Sequence, residues 1–271
     1  MVTPTFDKTP DLKLEIENAT SAVKLLCSFP ALKQQQAEVY IYTVTWYRNL
    51  QKLRSHTLNN QTTAILQDRE LGVLNYADQI SCGVSACIYG DCNNTQGPER
   101  LSAVLVAELT IQETKVTVTE GEGSSPLTIR SRLPPRVFCA SNVSTSDCVF
   151  IISTLFLHSN KELKCLDGYI VPQVVLVWDS ATHNSSTCGV TITSLNWLSG
   201  VTISVQAGVD GLKDNTQRRS LQINVTLRIM SVTQWTRNVN IVEVEVKDRD
   251  VTAECKIVGD PHITTFDSCC L

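Results

Sequence analysis

The segment Ile241-Val-Glu-Val-Glu-Val-Lys247 sets Val242, Val244 and Val246 on one side of the chain and Glu243, Glu245 and Lys247 on the other. Strict alternation of β-branched and charged residues has the period of a strand with one buried and one wet face. The period recurs upstream in Leu221-Gln-Ile-Asn-Val-Thr-Leu-Arg-Ile229, Val201-Thr-Ile-Ser-Val205 and Lys115-Val-Thr-Val-Thr119. Near the start it is carried by Leu12, Leu14 and Ile16, then by Val23, Leu25 and Cys27, then by Tyr42, Val44 and Trp46. Turn-forming stretches separate the runs: Asn93-Asn-Thr-Gln-Gly-Pro98, Gly121-Glu-Gly-Ser-Ser-Pro126 and Gly208-Val-Asp-Gly-Leu-Lys-Asp214. Many short strands with frequent turns predict an all-β chain of the sandwich or barrel type. Gln61–Gly72 reads equally as helix or as strand and loop.

The 271 residues suffice for about two domains. The reading places one β-sandwich at 1–112, a second at 113–251 and a tail at 252–271, with the boundary where one strand run stops near 112–115. Apolar residues make up 42% and charged residues 18%, a globular balance. A net charge of −4 without basic runs leaves no electrostatic footprint for nucleic acid. No apolar stretch approaches the ~18 residues of a membrane span. The chain opens Met1-Val-Thr-Pro-Thr-Phe-Asp-Lys-Thr-Pro10 without an apolar leader and stops at Ser268-Cys-Cys-Leu271, so both ends read as cut from something longer.

Eleven cysteines are many for a reducing compartment. Cys27, Cys82, Cys87 and Cys92 lie in the first module and Cys139, Cys148, Cys165 and Cys188 in the second; Cys255, Cys269 and Cys270 close the chain. Four per module suit a disulfide framework with three possible connectivities each. Cys87 and Cys92, with Gly90 between them, have the spacing of a small closed loop. Free thiols and zinc are the competing readings; zinc lacks any Cys-x-x-Cys pair, and His158, His183 and His262 stand isolated. Asn-x-Ser/Thr acceptor sites occur at Asn18, Asn60, Asn93, Asn142, Asn184 and Asn224. Cysteines and acceptor sites point together to the secretory route.

Cys27, Trp46 and Cys82 resemble the signature of the immunoglobulin fold, which implies a bridge between two sheets with an indole packed on it. The spacing from Cys27 to Trp46 is longer than usual, with Gln34-Gln-Gln36 as an inserted loop, and Ile80 stands where a corner tyrosine is expected. Near the end, Gly259, Asp260, Pro261, His262, Thr265, Phe266 and Asp267 follow Cys255 in a pattern that closely resembles the opening strand of a von Willebrand factor type D domain. Val242–Asp250 and Glu120–Cys139 are similar to the β-rich region that precedes this domain in the family that combines it with EGF domains. Here Ser268-Cys-Cys-Leu271 replaces the rest of the domain. The resemblance implies that Asp267 matches a calcium ligand, but an orphaned one, since Ca²⁺ needs six or more oxygens. No metal site and no cofactor are expected in this chain, with calcium possible in a full-length parent.

A catalytic reading needs a nucleophile, a base and an orienting group, or a metal cluster. His56, His158, His183 and His262 are scattered, and Gly121-Glu-Gly-Ser-Ser precedes no helix that would hold phosphate. The expectation is therefore not an enzyme. It is tandem immunoglobulin-like β-sandwich modules with a truncated type D start, in a secreted or cell-surface protein that acts structurally or by binding an extracellular protein, for instance a signalling receptor. Aromatics of the Tyr40–Tyr47 strand would serve as contacts if they lie outside the core. The alternatives are an immunoglobulin-like receptor ectodomain and, from another class, an intracellular hydrolase with a site built from distant loops.

Overall fold

The structure, a computed structural model, describes residues 3–17, 22–32, 39–140, 142–157, 169–171, 174–178, 183–184, 189–209, 215–249, 256–257 and 263–264. In chain order the first part carries β1 (Asp11–Glu17), β2 (Ala22–Ser28), β3 (Tyr40–Arg48), β4 (Gln51–Asn59), β5 (Thr63–Gln67), the helical turn α1 (Asp68–Leu71), β6 (Gln79–Ile88), the turn α2 (Cys92–Thr95), β7 (Arg100–Leu101) and β8 (Leu105–Val106). They form two antiparallel sheets, β1-β2-β5 and β4-β3-β6-β7, with β8 also on β6. Alternation decides the faces: Val23, Leu25 and Cys27 of β2 point inward and meet Tyr42, Val44 and Trp46 of β3. Gln61–Gly72 resolves into both of its readings. A strand runs to Gln67, then α1 begins, its first turn closed by Glu70 accepting from the Gln67 N–H at 3.0 Å. Gly72, at a φ of +71° that favours glycine, ends it.

Cys27 and Cys82 are bridged with Cα atoms 6.2 Å apart, joining β2 of one sheet to β6 of the other. Trp46 lies opposite Cys82 in the β3–β6 register and is fully buried beside the bridge. Phe29 packs on Tyr42 at 5.0 Å and on Phe6 at 5.7 Å, so the segment before β1 closes one end of this core. Gly97 lets that segment pass: a Cβ there would sit 1.8 Å from the Pro4 carbonyl oxygen. Tyr42 and Trp46 are thus core residues and not contact aromatics, while the Tyr47 hydroxyl donates to Glu99 at 2.8 Å.

Just before β6, buried Asp78 accepts from Arg48 Nε at 2.8 Å, Asn49 Nδ2 at 2.7 Å and the Asn75 N–H at 2.7 Å. Burial pushes its carboxyl up, but the Asn49 amide, the Asn75 N–H and the Arg48 guanidinium outweigh it and hold the carboxyl below the usual carboxylate range. A carboxyl lowered on folding stabilises the protein above the unfolded-state value of about 3.9, and that stability is lost as pH falls through the folded value. Asp78→Asn is therefore expected to be less stable at pH 7 by on the order of 2 kcal/mol. The deficit shrinks when urea midpoints are compared at pH 3; an equal deficit at both pH values would show that the Asp78 charge is not what holds this corner.

The second part carries β9 (Leu109–Ile111), β10 (Lys115–Thr119), β11 (Ser125–Ser131), a 3₁₀ turn (Pro135–Phe138), β12 (Cys148–Phe156), β13 (Tyr169–Val171), β14 (Val174–Trp178), β15 (His183–Asn184), β16 (Gly189–Ile192), β17 (Val201–Ala207), β18 (Gln217–Ile229) and β19 (Val232–Lys247). One sheet is β13-β14-β17-β11-β9 and the other β10-β19-β18-β12-β16-β15. Leu127, Ile129, Ile203 and Val205 from the first face Phe150, Ile152, Ile223, Val225 and Val244 from the second, all fully buried. β9 pairs with β11, so residues 109–111, read in the sequence as the end of the first module, belong to the second pair of sheets. The break at 112–115 is the point where the chain leaves β9, paired with β11, and crosses to run parallel to β19 as β10. On the wet side, Lys115 meets Glu245 at 3.0 Å and Arg218 meets Glu243 at 3.6 Å, a charge ladder across three strands that holds the Glu245 carboxyl below its ordinary range, chiefly through Lys115. In the tail, β20 (Lys256–Ile257) pairs antiparallel with β21 (Ile263–Thr264).

Candidate binding surface at the sandwich junction

The two sandwiches meet without a loose linker. The Ala107 N–H donates to Asp78 O at 2.8 Å, the Leu74 N–H to Val137 O at 2.9 Å and the Arg132 N–H to Glu108 O at 3.0 Å. Arg136 pairs with Asp68 at 3.1 Å, tying the turn before β12 to α1. Tyr76 stacks edge-on against Trp235 of β19 at 5.8 Å, and Trp235 rests on Phe150 at 6.1 Å, which continues the second core to the junction. Burial raises the Tyr76 phenol despite the Leu109 N–H that its oxygen accepts. The tyrosine missing from position 80 thus has a counterpart six residues before Cys82 that works between modules. Asp68, Arg69, Val73, Arg136, Val137 and Val143 line an open cleft of about 220 Å³ at the junction.

Three loops of the second sandwich gather at this end. Cys139 and Cys148 are bridged and close the loop between the 3₁₀ turn and β12. The Met230 N–H, at the β18–β19 turn, donates to Asp147 O at 2.7 Å, and Ser194 Oγ donates to Thr145 O at 3.4 Å. The disulfide loop therefore props the hairpin tip and the β16–β17 loop side by side. Each presents apolar side chains to solvent: Leu195 is 94% exposed, Met230 68% and Val232 62%. Apolar side chains gathered on one surface mark an interaction site more than singly scattered ones do. Nothing in the local sequence of Leu195 or Met230 distinguishes them; the disulfide loop to which both of their loops are bonded brings those loops together.

Cys87 and Cys92 are bridged around Gly90. Cys165, Cys188, Asn18, Cys255, and Gly259–His262 with Thr265–Asp267 of the type D-like motif lie outside the described residues, as does Gln34–Gln36. Asn60, in a turn at φ +59°, Asn93 in α2 and Asn142 in the disulfide loop are exposed; Asn184 belongs to β15 and Asn224 is half-buried in β18. His56 is half-buried on β4, apart from the junction elements, and His183 lies in β15, while His158 and His262 are outside the described residues. Among the described residues no three His, Cys, Asp or Glu side chains converge as a metal-binding group, and no helix is long and apolar enough to cross a membrane.

No protein-family model matches the chain, and no curated protein sequence matches it. Among solved structures it is similar to the periplasmic chaperone SfaE, with 8% identity, 58% of this chain and 69% of that chain covered, and a TM-score of 0.30. It is also similar to the chicken CNTN1 FN1–FN3 domains, with 12% identity, 91% and 68% covered, and a TM-score of 0.28. At these values neither likeness assigns a function, and the sandwich architecture stands on the strand pairing itself.

Proposed function

We propose that this chain is a non-catalytic binding or structural segment of an extracellular protein, of the kind that joins β-sandwich modules to a von Willebrand factor type D domain and EGF domains. Three disulfides among the described residues, each lying within one sandwich, carry the reading. Such bridges persist in oxidising surroundings and are rare where glutathione keeps thiols reduced. The braced junction supports it further. It ties the two modules together by backbone hydrogen bonds and the Arg136–Asp68 pair, and offers one loop cluster, with Leu195, Met230 and Val232 outward, as the face for an extracellular protein partner. No nucleic-acid partner, cofactor or metal is part of the proposal.

An immunoblot of the endogenous protein, with and without reductant and N-glycosidase, tests this reading. The expected result is a band that drops with glycosidase and shifts on reduction. A band at the 29.9 kDa of the bare chain, indifferent to both treatments, would overturn it in favour of an intracellular protein with reduced cysteines.

A further inference from the structure

On β18 the side chains alternate strictly. Leu221, Ile223, Val225 and Leu227 enter the core, and Gln222, Asn224, Thr226 and Arg228 face outward. Register places Asn224 between Ser153 of β12 and Asn238 of β19, and Thr226 between Ile151 and Thr236. Two irregularities bracket this row: Val239 and Gln234 of β19 each stand without a partner, between the partners of Ile223 and Asn224 and between those of Leu227 and Arg228. A bulge bends its strand and increases local twist, re-aiming the side chains beside it. Beside this pair of bulges the outer face holds a groove of about 460 Å³ lined by Ser153, Thr226, Arg228, Ser231, Thr233 and Thr236 over Ile151. Its walls are hydroxyls and one guanidinium.

Asn224-Val225-Thr226 is an N-glycosylation acceptor that stands beside this groove. Gln222 Nε2 donates to Asn224 Oδ1 at 2.9 Å, which engages the amide oxygen and leaves the nitrogen as the atom to be derivatised. We propose that Asn224 carries an N-linked glycan whose first sugars lie in the groove along Thr226 and Arg228. In the transfer, the bond from Asn224 Nδ2 to the sugar C1 forms and the C1–oxygen bond to a lipid-pyrophosphate donor breaks. The amide gives up one proton and the lipid pyrophosphate leaves. Sugar hydroxyls both donate and accept, matching the groove's hydroxyls and the Arg228 donors. Asn60 and Asn142 instead sit on exposed turns, where a glycan projects into water. The inference rests on the extracellular reading, since the donor is met only on the secretory route.

Site-resolved glycopeptide mass spectrometry of the endogenous protein, before and after endoglycosidase treatment in native and denatured form, tests it. The expected result is sugar on Asn224 that the enzyme removes from native protein more slowly than sugar on Asn60 or Asn142, the difference vanishing on denaturation. Asn224→Gln in the full chain expressed in the same cells loses one glycan mass, and Thr226→Ser retains it. A bare Asn224 beside an occupied Asn60 or Asn142 overturns the site and leaves the extracellular reading standing. Equal native trimming at all three overturns the seat in the groove. Bare asparagines throughout overturn the extracellular reading, and this site with it.

Discussion

Cys27→Ala with Cys82→Ala is expected to lower the stability of the first sandwich by about 2–5 kcal/mol. The bridge closes a loop of 55 residues, for which restricting the unfolded chain accounts for about 4 kcal/mol in the chain-entropy view. Both sulfurs are fully buried against Trp46, so their removal also leaves unfilled space in the centre of the core. Urea unfolding followed by tryptophan emission measures it. The double variant should unfold at a clearly lower urea concentration, and treating the native protein with reductant should approach the same midpoint. An unchanged midpoint would mean that the bridge does not form in the protein.

Phe150→Ala is expected to destabilise the second sandwich by about 3–5 kcal/mol. Phe150 is fully buried, stacks edge-on against Phe138 at 5.1 Å and touches Trp235 at 6.1 Å. A small side chain there empties the space between the turn before β12 and the long β18–β19 hairpin. Since Trp235 in turn holds Tyr76, the loss reaches the junction. Limited proteolysis between the sandwiches, around Ala107, should accelerate in the same variant. Thermal unfolding that matches wild type would show that the hairpin is not seated on Phe150.

Strand alternation made most of this architecture legible, because a side-chain period of two is a local property. Val242, Val244 and Val246 fill the core as the valine–glutamate pattern requires, and Cys27, Trp46 and Cys82 meet as their resemblance to the immunoglobulin signature implies. Pairing is not local. Leu109 and Ile111 carry the same apolar pattern whichever sheet they join, and only the register with β11 assigns them to the second sandwich. The Cys139–Cys148 bridge is one of three pairing schemes open to four cysteines, and choosing it takes the geometry of the 3₁₀ turn. Asp78 reads as an ordinary turn residue until Arg48, Asn49 and Asn75 are seen around it. The outward Leu195 and Met230 are invisible to patterning for the same reason. They come from loops more than thirty residues apart, brought together by the disulfide loop between β11 and β12.

Whether disulfides staple the two sandwiches, as an oxidising environment permits, is read from a disulfide map of the endogenous protein. Free thiols are alkylated under denaturing, non-reducing conditions, and the digest is searched for linked peptides by mass spectrometry. The expected linked pairs are Cys27–Cys82, Cys87–Cys92 and Cys139–Cys148. Alkylated free thiols at these six positions would instead mean that no bridges staple the sandwiches and place the protein where cysteines stay reduced.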